Sequence, residues 1–239
     1  MIVFRSFLFR AVLFTTSPLF AILMWPALLF GEKGGRWFAK NWARMVFAEL
    51  RIFCGIRHEV AGLEHMPTGG AIVAANHQSM WETFALYALL PKPAVVMKKE
   101  LLRIPVFGWF QLAAGNIVID REGGAKALRA LTRATNAAVA DGKQIIVFPE
   151  GTRMRPGETT PFQPGVAGIY AAAGTPCHPA VHNSGEHWQY PGGRKTPGMI
   201  RLRFLPPIPP GLDRRSFKRE LETVINGARP DIIRAEEAV

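Results

Sequence analysis

The sequence predicts an α/β fold, a mixed sheet flanked by helices, led by an apolar and amphipathic helical segment suited to anchoring on a membrane. Short apolar runs alternate with helix-period stretches from Gly55 onward, the pattern of layered strands and helices. The twenty residues from Ala11 to Phe30 carry no charge. The whole chain, by contrast, bears 29 Lys and Arg against 18 Asp and Glu, a formal net charge of +11, which calls for a polyanionic partner. A length of 239 residues fits one domain with an appendage, divided into an anchoring segment over 1–54 and an α/β domain over 55–239.

The N-terminal run comes first. As a helix, Ala11 to Phe30 is about 30 Å long, the thickness of one hydrocarbon core. A cleaved signal peptide would end in a small-residue pattern, and Gly31-Glu32-Lys33 follows instead. Pro18 and Pro26 each remove a helix hydrogen bond, and Thr15, Thr16 and Ser17 crowd the first of them. Arg5 and Arg10 precede the run while Lys33, Arg36, Lys40 and Arg44 follow it, without the one-sided bias usual for a single crossing. These features favour a broken, hairpin-like or interfacial segment over one straight span. In the next stretch Arg36, Lys40, Arg44 and Arg51 share a narrow helical stripe. Phe38, Trp42, Met45, Val46, Leu50 and Phe53 form a broad face opposite. Such a helix either lies on anionic headgroups or packs its aromatic face on the domain.

Strands are expected at 71–75, 94–97, 116–120, 144–148, 178–182 and 200–204, and helices at 80–90, 125–140, 164–173 and 214–226. Gly69-Gly70, Asp141-Gly142 and Pro191-Gly192-Gly193 punctuate them as turns, Pro206 to Pro210 forms an extended connector, and the tail after Pro230 is expected to fray. Cys54 and Cys177 are too few for a disulfide framework and lack metal-ligand spacing, so they read as reduced structural thiols.

The chemistry concentrates where strands end. An apolar run from Ala71 delivers His77 to a strand terminus, and a helix pattern carrying Glu82 follows at once. Five residues apart on one helix, two side chains diverge, but across a strand-to-helix corner a carboxylate can turn back to an imidazole. There it fixes the tautomer and leaves the second nitrogen as a base. Glu82 can equally serve as capping-box partner of Ser79. Phe148-Pro149-Glu150-Gly151-Thr152-Arg153 follows another apolar run; Gly151 allows a tight turn, and Arg153 offers the planar fork that suits phosphate. Arg121 ends a third such run and Lys98-Lys99 a fourth. A base ringed by cations at strand ends suits a phosphorylated hydroxyl substrate.

Together these blocks resemble the glycerolipid acyltransferase family, specifically the 1-acyl-sn-glycerol-3-phosphate acyltransferases. Asn76-His77 with Glu82 matches that family's first block, Asn-His-x4-Asp, with Glu in place of the usual Asp. Lys98 through Gly108 matches the connecting segment, Gly115 to Arg121 the second block, Phe148 to Arg153 the third, and Pro179-Ala180-Val181 the least specific fourth. The resemblance covers roughly Gly55 to Leu212. It implies a glycerol-3-phosphate acyltransferase-like fold in which His77 takes the proton of the sn-2 hydroxyl, Glu82 orients His77, and the oxygen attacks an acyl thioester without a required acyl-enzyme. It further implies that Arg121 and Arg153 hold the substrate phosphate, that Glu150, Gly151 and Thr152 shape that loop, and that Lys98 polarises the thioester or fixes substrate. No metal or cofactor is implied, acyl-CoA or acyl-carrier protein being the donor substrate. The expected partners are a lysophospholipid, an acyl thioester, an anionic membrane surface and acyl-carrier protein. Nucleic acid is not expected, and the domain is expected on the cytoplasmic face of a membrane. The extra methylene of Glu82 raises the prospect of another lysolipid acceptor, and Asn183-Ser184-Gly185 with Trp188 is left without an assigned role.

Other functions fit less of the chain. No Gly-x-Ser-x-Gly elbow supports a serine hydrolase, and His58-Glu59 with His65 does not form a zinc motif. No nucleic-acid module is present, and a non-catalytic membrane scaffold leaves the His77, Arg121 and Arg153 pattern to chance.

Overall fold

The computed structural model describes residues 1–104, 107–119 and 124–237. Among the described residues the strands are β1 (Ile56–Ala61), β2 (Ala71–Ala75), β3 (Pro93–Lys98), β4 (Ile117–Ile119), β5 (Gln144–Val147), β6 (Cys177–His182) and β7 (Gly198–Phe204). They form one sheet in the order β1-β7-β6-β2-β5-β3-β4. The five strands from β6 to β4 run parallel, whereas β7 is antiparallel to β6 and β1 is parallel to β7. The sheet is therefore mixed, as expected.

The helices are α1 (Ile2–Met24), α2 (Gly31–Glu49), α3 (Trp81–Leu89), α4 (Phe107–Ala113), α5 (Gly124–Ala140), α6 (Pro164–Ala173), α7 (Ser184–His187) and α8 (Arg214–Glu237). Alternation along β2 divides them into two layers. Val73 and Ala75 join a core with Phe9, Phe38, Val46, Leu86 and Phe110 from α1 to α4. Ile72 and Ala74 join the opposite core, with Leu131, Ile169, Phe217 and Leu221 from α5, α6 and α8. All five β2 residues are buried, which explains why the central parallel strands read as unbroken apolar runs.

Several expectations need correction. The break falls at Pro26 rather than at Pro18, because α1 runs straight through Pro18 and ends in a 3₁₀ turn, Trp25–Phe30, with Pro26 near its start. Contacts with α2 support the helix across that lost bond: Trp42 Nε1 donates to Ser17 Oγ at 2.9 Å, and Phe20 packs on Phe38 with ring centroids 5.1 Å apart. Farther down, Arg5 Nε donates to the Phe53 carbonyl at 3.0 Å, so α1 and α2 form an antiparallel hairpin. The aromatic face of α2 is turned into protein, with Phe38, Val46 and Leu50 buried and Trp42 edge-on to Phe84. Its basic stripe is partly internal too, since Lys40 Nζ donates to the Leu90 carbonyl at 2.6 Å, just beyond α3. The outward apolar face belongs instead to α1, where Val3, Phe4, Phe7, Phe14, Leu19 and Ile22 are exposed. By length and composition alone, the helical run Ile2–Cys54, which begins with α1, contains a stretch long and apolar enough to cross a membrane.

At the other end of the chain, α8 continues through Pro230 to Glu237, longer than the helix expected to stop at 226. Strand β1 and helix α4 were not anticipated. As an edge strand, β1 buries mainly Ile56 and leaves Arg57, His58 and Glu59 open, so its sequence lacks an apolar run.

Candidate active site

Asn76 directly follows strand β2, and its side chain ties that strand end to the end of β6. Asn76 Nδ2 donates to the His182 carbonyl and Asn76 Oδ1 accepts from the His182 amide, both at 3.0 Å. His182 is buried, and its ring is fixed by the Asn76 carbonyl at 2.7 Å from Nε2 and by the Ser184 amide at 3.3 Å from Nδ1. That pairing makes Nε2 the protonated nitrogen and the ring neutral. Burial pushes the His182 imidazole below its ordinary value, against the pull of Glu82.

His77 follows immediately. Its amide donates to Glu150 Oε2 at 2.6 Å and its carbonyl accepts from the Met154 amide at 2.8 Å, so the loop after β5 grips this residue on both sides. The His77 ring stacks on Phe148 with centroids 4.1 Å apart and planes 15° from parallel. Nδ1 lies 2.7 Å from Glu82 Oε1. With that nitrogen engaged, Nε2 is the one left to meet a substrate.

Glu82 sits in the first turn of α3 and is fully buried. Its Oε1 also accepts the amides of Gln78 and Ser79 at 2.9 and 2.8 Å, and its Oε2 lies 2.6 Å from Ser79 Oγ and 2.8 Å from Ser184 Oγ. One carboxylate oxygen thus serves both the backbone just ahead of α3 and the imidazole, while the helix N-cap itself, Met80, has no side-chain cap. Burial raises the carboxyl's pKa, but the charge of the His182 and His77 imidazoles when they are protonated, together with the hydrogen bonds from His77 and the Ser79 hydroxyl, outweighs it. The group is held well below the usual carboxylate range.

Arg153 joins this centre. Its Nε donates to the Ser79 carbonyl at 2.9 Å, and its guanidinium lies 4.8 Å from the centroid of the Tyr190 ring. Among the described residues no hydrogen bond engages its terminal nitrogens, which leaves the fork for a ligand. Gly151 adopts φ +72°, and a Cβ there would come within 2.9 Å of Gln163 Cγ, so the tight turn requires glycine. Thr152 is exposed beside it.

Glu150 is placed otherwise than a substrate contact. It is 1% exposed, with one oxygen on the His77 amide and the other paired with Arg229 of α8. Burial pushes its carboxyl upward, opposed by Arg229 and by the His77 amide. Its geometry is that of a brace behind His77. Lys98 is exposed at the end of β3, on the same sheet edge but two strands from β2. Arg121 lies outside the described residues. Sequence reasoning missed Arg229 and gave Ser184 no role, and it did not foresee Phe148 stacking on the imidazole or Tyr190 covering Arg153. Phe148, inside the motif, and the Asn183-Ser184-Gly185 feature carried a signal.

The acyltransferase family model matches residues 57–183, just over half the chain. A Pseudomonas aeruginosa protein named 1-acyl-sn-glycerol-3-phosphate acyltransferase is 36% identical over 167 residues, covering 70% of this chain and 65% of the relative. The human 1-acyl-sn-glycerol-3-phosphate acyltransferase alpha is 31% identical over 169 residues, 70% of this chain and 60% of its own. The match therefore spans slightly less than two thirds of these relatives. The crystal structure of the Thermotoga maritima 1-acyl-sn-glycerophosphate acyltransferase PlsC shares the fold, with a TM-score of 0.78 at 22% identity over 97% of this chain and 99% of that one. On its sequence match, the chain belongs to the acyltransferase family.

Proposed function

We propose that the chain transfers a fatty acyl group from acyl-CoA or acyl-carrier protein to the sn-2 hydroxyl of 1-acyl-sn-glycerol-3-phosphate, giving phosphatidic acid. The observation that carries this reading is the His77–Glu82 pair, 2.7 Å apart, which commits Nδ1 and leaves Nε2 for the acceptor. Nε2 takes the hydroxyl proton as the oxygen bonds to the thioester carbonyl carbon. Glu82 stabilises the resulting imidazolium. When the carbon–sulfur bond breaks, the imidazolium returns its proton to the thiolate, and both products leave neutral at the reacting atoms. The relatives' names supply the acceptor, and Arg153 beside the base fits its phosphate. The test is purified protein, labelled acyl-CoA or acyl-carrier protein, and a panel of lysolipids read by product mass. Phosphatidic acid as main product supports the reading; no product with any acceptor overturns it.

Arg153→Ala is expected to raise the apparent KM for lysophosphatidate about 10- to 100-fold, the loss of a charge-assisted contact, with a smaller fall in kcat. An unchanged acceptor KM removes Arg153 from the phosphate site.

The domain is proposed to work on the cytoplasmic face, held by the exposed side of α1 and attracted to anionic lipid by the net charge of +11. Phe9 of α1 is fully buried, so deleting the helix would disturb the domain as well as the anchor. Replacing Phe4, Phe7 and Phe14 together by Ser isolates the surface. Each removes about 1.5–3 kcal/mol of apolar burial, so the variant is expected to stay in the supernatant when anionic vesicles are sedimented. Full cosedimentation contradicts this anchor.

A further inference from the structure

Glu82 oxygen Oε2 is bonded by a residue 102 positions away, Ser184, at 2.8 Å. Ser184 is fully buried and is the first residue of the short helix α7, directly after its N-cap Asn183. The surrounding chain fixes its position. Asn183 Oδ1 accepts the Arg201 amide at 2.8 Å and ties this corner to β7. The Ser184 amide lies 3.3 Å from His182 Nδ1, and the Gly185 amide donates to Gln78 Oε1 at 3.1 Å. A Cβ at Gly185 would come within 2.9 Å of Gln78 Cβ, so this approach needs glycine. The Asn183-Ser184-Gly185 corner thus exists to bring one hydroxyl, from the end of β6, against the carboxylate at the start of α3. Ser184 lies one residue beyond the span that matches the family model.

We infer that Ser184 is a positioning residue for the proposed reaction: with Ser79 it clamps Glu82 Oε2, so that Oε1 is aimed at His77 Nδ1. This rests on the functional reading above. The two hydroxyls lie 2.8 Å apart and flank the same oxygen. Oε1 already accepts two amides and the imidazole; without the clamp, Oε2 would sit buried with one donor fewer, and the carboxylate could rotate about its last bond. The arrangement also suits the length of a glutamate. An aspartate on the same backbone would retract its oxygens by about one bond length, roughly 1.5 Å, and lose the serines or the imidazole.

The experiment is a double-mutant cycle on acyl transfer to lysophosphatidate, using Ser184→Ala and Glu82→Ala singly and together. Ser184→Ala is expected to lower kcat about tenfold while leaving acceptor KM within about twofold, because the residue touches no substrate. On the Glu82→Ala background the same change is expected to cost less than about twofold, because its effect runs through that carboxylate. Ser184→Cys keeps the side chain's volume with a weak donor and is expected to fall in the same direction with an unchanged melting temperature. It carries the test if the alanine variant misfolds. A full additive loss on the Glu82→Ala background, or wild-type kcat in the cysteine variant, overturns the role. Wild-type protein inactive with every acceptor instead removes the proposed reaction, and this role with it.

Discussion

His77→Ala is expected to abolish measurable acyl transfer, with kcat down about 10²- to 10⁴-fold, the usual contribution of a positioned general base. Vesicle binding should be unchanged, because the exposed face of α1 is far along the chain from this residue and makes no use of it. Stability should change little. The loop after β5 holds His77 through its backbone amide and carbonyl, which alanine retains, and only the stacking on Phe148 and the bond to Glu82 are lost. Initial rates and a melting curve on the same preparation check both halves. Near-normal turnover with an intact fold would remove His77 as the base.

Glu82→Gln separates charge from geometry. The Gln78 and Ser79 amides, at 2.9 and 2.8 Å, demand an acceptor at the Oε1 position, so the amide oxygen should occupy it and still receive Nδ1–H. The tautomer survives and the charge does not. Rate should then fall about 10²- to 10³-fold through loss of imidazolium stabilisation. Glu82→Asp keeps the charge and loses the reach, and should also be impaired, although aspartate is the residue the resemblance leads one to expect here. Wild-type turnover in the aspartate variant would contradict the fit to glutamate.

The same carboxylate carries a pH signature. Its folded pKa lies below the ordinary 4.5, so its contribution to stability is complete above that value. As pH falls below 4.5, the unfolded chain takes up a proton that the folded chain refuses, and the contribution is lost on the way down to the folded pKa. In denaturant titrations the stability gap between wild type and Glu82→Gln should therefore narrow from pH 7 to pH 3. A constant gap would mean that Glu82 is not held charged.

What the sequence could reveal follows from how far apart the interacting residues lie in the chain. His77 and Glu82 are five residues apart, and the corner between them is written in one apolar strand and one helix start. The Phe148 to Arg153 loop was legible because a buried strand precedes it and Gly151 marks its turn. The roles of Ser184 and Arg229 were not legible, because they reach Glu82 and Glu150 across 102 and 79 positions; Asn183-Ser184-Gly185 stood out as a local feature, but nothing in it named its partner, and Arg229 reads as a surface arginine. The face of α2 is an intermediate case. Periodicity identified its aromatic side, but the partner that covers it is α3 and the sheet, which only the folded chain specifies. Likewise Pro18 reads as a break from local chemistry alone, and the contacts of Ser17 and Phe20 with α2 override it.

The most direct test of the central claim, that His77 deprotonates the acceptor and is not itself acylated, is a rapid-quench experiment with labelled acyl-CoA. With acyl-CoA alone, the protein is expected to remain unlabelled. On adding lysophosphatidate, label should pass straight into phosphatidic acid, one acyl group for each CoA released. A labelled protein that forms before the acceptor arrives, and decays at the rate at which product appears, would contradict it.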